Sequence, residues 1–116
     1  MAFRFETLVV WQNALLHCNQ IDLMTKAFPV DERYNLSSQI KRAADSVVLN
    51  IAEGSTGQSI PEYKRFLGIA LRSAIEVVAC LFIAKTRCYI SEDIFKKNYD
   101  SYEILCKMVT KLKNSM

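Results

Sequence analysis

Five hydrogen-bonding side chains, Gln39, Arg42, Ser46, Asn50 and Glu53, recur through the stretch LSSQIKRAADSVVLNIAEGS (36–55). At about 3.6 residues per turn they fall on one stripe of a helix, beside an apolar face. Two kinds of chemistry suit such a stripe. One is a polar groove that holds a ligand. The other is a hydrogen-bonded network at the edge of a helix interface, with Asn50 fixing register and Arg42 bridging to Glu53 of a neighbouring turn or subunit. The network is the reading adopted, because Asp45 and Glu53 stand close enough to blunt the positive field. The cations suited to phosphate oxygens are Lys41 and Arg42 in this stretch, then Lys64, Arg65 and Arg72, with Tyr63 and Phe66 interleaved. Contacts to phosphate need only surface cations, so one copy of such a site means little and repetition makes it useful.

Catalytic patterns are missing. The chain has no Gly-rich phosphate loop, no H-E-x-x-H and no D-x-D pair, and the Glu-x-x-His repeats of a di-metal bundle are absent. Asn50 and Glu53 are neighbours at i and i+3, but an amide with a carboxylate is not an acid–base pair. The one histidine, His17, reads as a surface or inter-helix hydrogen-bonder. Cys18, Cys80, Cys88 and Cys106 form no CxxC pair and lie among apolar residues. They read as small buried hydrophobes in a reducing compartment, not as zinc ligands. No catalytic residue, metal or cofactor is expected.

The elements that must position these residues are helices. Apolar residues make up 51% of the 116, while Gly (3) and Pro (2) are scarce, which favours a single all-α domain over residues 1–116. A first helix is expected from an N-cap at Thr7 to Ala27, ended by Pro29. A second runs from Leu36 to Gly54, where glycine is free to take a left-handed C-terminal conformation. Ser59 and Glu62 form the S-x-x-E capping box of a third, which continues to about Cys88. Ser91 caps a fourth, with Glu92 and Asp93 in its first turn and Lys111 and Lys113 in its last, matching the helix dipole at both ends. Connections this short make successive helices antiparallel neighbours, so the fold expected is an up-down-up-down four-helix bundle.

Charge is mildly basic, 15 Lys and Arg against 12 Asp and Glu, which admits a nucleic-acid partner without requiring one. The opening MAFRFETLVVWQ lacks the apolar run and cleavage site of a signal peptide. The longest unbroken apolar block, VVACLFIA (77–84), falls well short of the ~20 residues that span a bilayer. A cytoplasmic protein without a membrane contact is expected.

That block has a second meaning. The third helix begins with a polar stripe of Lys64, Arg65, Gly68, Arg72 and Glu76, then loses it, and a helix that is apolar all round is buried all round. One small bundle would leave Val78, Phe82 and Ile83 wet, and Val48 and Leu49 lie off the apolar face of the second helix. A second subunit covering these five side chains is the expected remedy, making the protein a homo-oligomer.

The segments FETLVVWQNALL, FPVDERYNLSSQIKRAADSVVLNIAEGS and EYKRFLGIALRSAIEV together resemble the four-helix-bundle proteins encoded in intervening sequences of bacterial 23S ribosomal RNA genes. The string ending NIAEG is the most specific piece, and the similarity runs from about Phe5 to Ile90. The resemblance implies a cytoplasmic bacterial protein that assembles as a homopentameric ring. It also suggests kinship with the accessory variability determinant of diversity-generating retroelements, a basic pentamer that binds nucleic acid and a reverse transcriptase. Two positions depart from the family pattern. Val48 stands where a proline is frequent, which predicts a straighter second helix. Arg72 stands where glycine is common, so it demands space or an acidic partner.

The expected function is therefore a non-enzymatic pentameric ring that binds structured RNA, or other nucleic acid, electrostatically through Lys41, Arg42, Lys64, Arg65 and Arg72. The alternative is an oligomeric scaffold that engages a protein partner, such as a nucleic-acid enzyme, and touches RNA little.

Overall fold

In a computed structural model, which describes residues 2–116, the four expected helices are α1 (Val9–Thr25), α2 (Leu36–Gly54), α3 (Ile60–Thr86) and α4 (Glu92–Asn114). Short 3-10 turns at Arg4–Thr7 and Val30–Glu32 precede α1 and α2. α1 packs on α2 and α4, and α3 packs on the same two, which closes a four-membered bundle of 43 × 23 × 22 Å. Its core is built from Ile21, Ile40, Val47, Ile51, Leu67, Val77, Leu81, Tyr102, Leu105 and Val109, all essentially excluded from solvent.

The caps explain most boundaries. Ser59 Oγ accepts the Glu62 amide at 3.3 Å and Ser91 Oγ accepts the Ile94 amide at 3.2 Å. The capping box at Ser59 is only half made, because the Glu62 carboxylate turns instead to Arg65. Thr7 does not cap α1. Its hydroxyl donates back to Arg4 O at 3.1 Å within the 3-10 turn, and the helix starts two residues later.

Gly54 is needed for a reason other than the expected one. It is the last residue of α2 with ordinary helical backbone, and the left-handed glycine is Gly57 in the following turn, at φ 87°. A β-carbon on Gly54 would stand 3.0 Å from both Phe66 Cβ and Tyr63 Cδ1, so the glycine permits α2 and α3 to meet closely. α3 ends in a Schellman motif, with the Tyr89 amide bonded to Ala84 O at 2.9 Å and the Cys88 amide to Lys85 O at 3.0 Å. The left-handed residue of that motif is Cys88, at φ 63°.

α3 is long and apolar enough, by length and composition, to cross a membrane, which the longest unbroken apolar block did not reveal. In the bundle it buries Tyr63, Leu67, Ala70, Ala74, Val77, Cys80, Leu81 and Ala84, and Arg72 and Glu76 stand midway along its outer side.

Candidate nucleic-acid interface and polar groove

The stripe of α2 divides into two halves with different surroundings. Gln39, Arg42 and Ser46 line an open groove between α2 and α3, together with Tyr34, Ser38, Ser73 and Glu76. Ser46 and Ser73 share a 2.8 Å hydrogen bond at its inner end, and Gln39 Nε2 reaches Glu76 Oε2 at 3.4 Å near its mouth. Asn50 folds back on its own helix, donating to Ser46 O at 2.8 Å and to Ser46 Oγ at 3.0 Å. Among the described residues it therefore makes no inter-helix register bond. Glu53 is exposed and takes no part. The expected Arg42–Glu53 bridge within a protomer is excluded by length, since eleven residues of helix rise about 16 Å.

The five predicted cations do not form one patch. Lys41 faces α1 and pairs with Asp22 at 3.5 Å. Arg65 is neutralised by Glu62, at 3.1 and 3.2 Å, and its guanidinium lies 4.6 Å from the Phe66 ring centre. Tyr63, expected to interleave with the cations, is buried. Arg42, Lys64 and Arg72 have no acidic partner within salt-bridge distance among the described residues. Because α2 and α3 are antiparallel, Arg42 lies toward the far end of the bundle from Lys64.

Around Gly68 a different grouping forms. Lys64, Gly68 and Arg72 follow one another at four-residue steps, hence on one side of α3. Lys113 of α4 brings its ammonium within 3.6 Å of the point where a Gly68 side chain would begin. Glycine at 68 leaves room for that third cation. Lys113 was legible only as a dipole-matching residue at the end of α4.

Another side chain that pattern alone did not mark is Glu32. It is buried beneath the α1–α2 and α3–α4 connections and accepts from Tyr89 Oη at 2.7 Å, Arg87 Nη1 at 2.8 Å and Asn35 Nδ2 at 3.0 Å. The Tyr89 hydrogen bond leads the causes that hold its carboxyl below the usual carboxylate range, with Asn35 and Arg87 adding to it against the cost of burial. The group ties two loops together and has no free face for chemistry.

Two of the thiols are equally unsuited to nucleophilic work. Burial pushes Cys18 up to about 12, assisted by its 3.0 Å hydrogen bond to Asp45, and pushes Cys80 up to about 11. Cys88, expected within the apolar interior, is exposed. His17 is half-buried beside the Tyr102 ring and burial lowers its pKa, which favours neutral imidazole. Among the described residues no group of three His, Cys, Asp or Glu side chains is placed to hold a metal.

Of the five expected interface side chains, Leu49, Phe82 and Ile83 are exposed, Val78 is half-buried and Val48 is buried. Val48 is covered because α2 packs between α1 and α3, so its buried stripe is wider than one neighbour would require. Ile75, at 56% exposure, joins Phe82 and Ile83 on the outer side of α3.

The model of the 23S rRNA-intervening sequence protein family matches residues 6–111. The chain belongs to that family. A similar solved structure is a protein of unknown function from the S23 ribosomal protein family of Bacteroides thetaiotaomicron. It is 25% identical, with a TM-score of 0.83 over 90% of this chain and 98% of the other. No curated protein matches. Against the pattern expected of this intervening-sequence family, Val48 leaves α2 unbroken from Leu36 to Gly54, and Arg72 finds space at the surface, with no acidic partner among the described residues.

Proposed function

We propose that this intervening-sequence protein is a non-enzymatic, cytoplasmic homo-oligomer, a ring and in the simplest case a pentamer, that binds structured RNA through repeated cationic patches. The observation that carries the reading is the grouping of Lys64, Arg72 and Lys113 around Gly68, three cations without acidic partners among the described residues. A single patch of three charges gives weak, salt-sensitive attraction to phosphates, and several copies held in one assembly multiply it. The exposed Ile75, Phe82 and Ile83 continue the same side of α3 and supply the apolar surface for a neighbouring copy. Arg42 adds a cation on the neighbouring α2, whereas Lys41 and Arg65 are already held by carboxylates and contribute less.

The test is fluorescence anisotropy of a labelled RNA hairpin titrated with protein between about 50 and 200 mM salt. Tight binding at low salt that falls steeply is expected. Each of Lys64→Ala, Arg72→Ala and Lys113→Ala should reduce the slope of log affinity against log salt by about 0.7–0.9 per protomer engaged. Absence of binding at low salt overturns the reading and leaves a scaffold for a protein partner as the account of the exposed α3 face.

A further inference from the structure

The α2–α3 groove is a site separate from the Lys64–Arg72–Lys113 patch, and its lining is of mixed sign. Its volume is about 520 Å³, inside the range of roughly 300–1,000 Å³ typical of small-molecule sites. A pure phosphate site would not carry the Glu76 carboxylate, and a cation site would not carry Arg42. A nucleotide needs both, because it joins an anionic phosphate to a base whose edge has hydrogen-bond donors.

We infer that this groove takes one unpaired guanine of an RNA strand, with Glu76 and Gln39 reading the base, Tyr34 stacking on it and Arg42 holding its phosphate. This rests on the RNA-binding reading above and names the base that the second site selects. The argument runs through donors and acceptors. A carboxylate only accepts, and the guanine N1–H and N2–H₂ groups are adjacent donors spaced for its two oxygens. Adenine and cytosine set a ring-nitrogen acceptor beside their amino group, and uracil flanks its single N–H with carbonyls, so each meets the carboxylate with repulsion. The Gln39 amide sits next to Glu76, joined to it by a hydrogen bond of only 3.4 Å that an entering base readily replaces. That Nε2–H₂ then has guanine O6 to donate to.

The rim supplies the stacking surface. Tyr34 is 87% exposed, an unusual state for an aromatic side chain with no structural task, and it lines the groove. Arg33 places its guanidinium 5.4 Å from the Tyr34 ring centre, so a cation accompanies the aromatic face. Stacking of a base on such a face is indifferent to its identity, which leaves the choice of base to Glu76 and Gln39. Arg42, a cation of the lining without a carboxylate partner, is available to phosphate.

The experiment uses the full chain and three fluorescein-labelled hexanucleotides, UUUGUU, UUUAUU and UUUUUU, beside the RNA hairpin of the previous test. UUUGUU is expected to bind about tenfold tighter than the other two, the discrimination of one good bidentate base contact. Glu76→Gln, with helicity checked by circular dichroism, should abolish that preference and leave binding of a hairpin whose loop lacks guanine unchanged. Lys64→Ala/Lys113→Ala should do the reverse, weakening every RNA and keeping the preference. Hexanucleotides that bind equally, or not at all, while the hairpin binds would overturn the groove assignment and leave the electrostatic function intact. Guanosine monophosphate, titrated separately, that binds while no hexanucleotide does would likewise overturn it, assigning the groove to a free nucleotide. If neither hairpin nor hexanucleotide binds, both readings fall together.

Discussion

Cys88 holds the left-handed turn that ends α3, a conformation glycine adopts without steric cost and a side chain with a β-carbon does not. Its thiol is exposed and touches little, the nearest polar contact being Thr86 O at 4.0 Å. Cys88→Gly therefore removes strain and loses no packing, offset in part by the greater freedom of glycine in the unfolded chain. A stabilisation of about 0.5–1 kcal/mol is expected in chemical denaturation. Unchanged or lower stability would mean that the sulfur makes a contribution the exposed geometry does not suggest. At this scale the sequence was informative where a side chain acts on its own helix. Ser59 and Ser91 cap as their spacing suggests, and Cys80 is buried as its apolar neighbours imply. Residues whose roles depend on a partner far along the chain were harder to see. Glu32 meets Arg87 and Tyr89 across more than fifty positions, and no local pattern announces such a pairing.

Between elements, the decisive distance is that of α2 and α3 at Gly54. Adding one methyl there improves helix propensity by up to about 1 kcal/mol but drives it against Phe66 Cβ, an atom too near the backbone to swing aside. Overpacking of this kind costs about 1–3 kcal/mol, so Gly54→Ala is expected to lower stability, and Gly54→Val to lower it further. A rise in the denaturation midpoint of the alanine variant would show that the helices separate there at no cost. The sequence marked Gly54 as special but misassigned the cause, because a helix-ending glycine and a close-packing glycine look alike in one chain. Register was recoverable in principle. The short connection from Ser55 to Ser59 sets α3 antiparallel to α2, which brings the middle of α3, with Ser73 and Glu76, alongside the stretch of α2 that carries Gln39 and Ser46. Treating the polar stripe as a property of α2 alone hid the groove, since a third of its lining comes from α3 and from Tyr34 before α2.

Across the whole molecule, the unresolved balance is on the outer side of α3, where Ile75, Phe82 and Ile83 face solvent at 56%, 49% and 38% exposure. The loss of polar stripe after Glu76 made this face visible from periodicity, while the width of the buried stripe on α2 removed Val48 from it. Phe82 is a poor probe, because its ring packs on Phe95 at 4.9 Å and on Tyr99 at 6.1 Å, so altering it disturbs α3–α4 packing as well. Ile75 and Ile83 separate the two effects. In the proposed assembly, Ile75→Glu/Ile83→Glu places a carboxylate from each copy in a dry contact, where an unpaired charge is strongly unfavourable. Sedimentation at micromolar concentration should give several copies for the native chain and a helical monomer for the double variant. RNA affinity should fall with it, because separated protomers lose the multiplication of the Lys64–Arg72–Lys113 patch even though each patch is intact. A native chain that sediments as a monomer would remove the ring. A monomeric variant with undiminished RNA affinity would keep the oligomer but detach it from binding, moving the weight of recognition onto the single protomer and its groove.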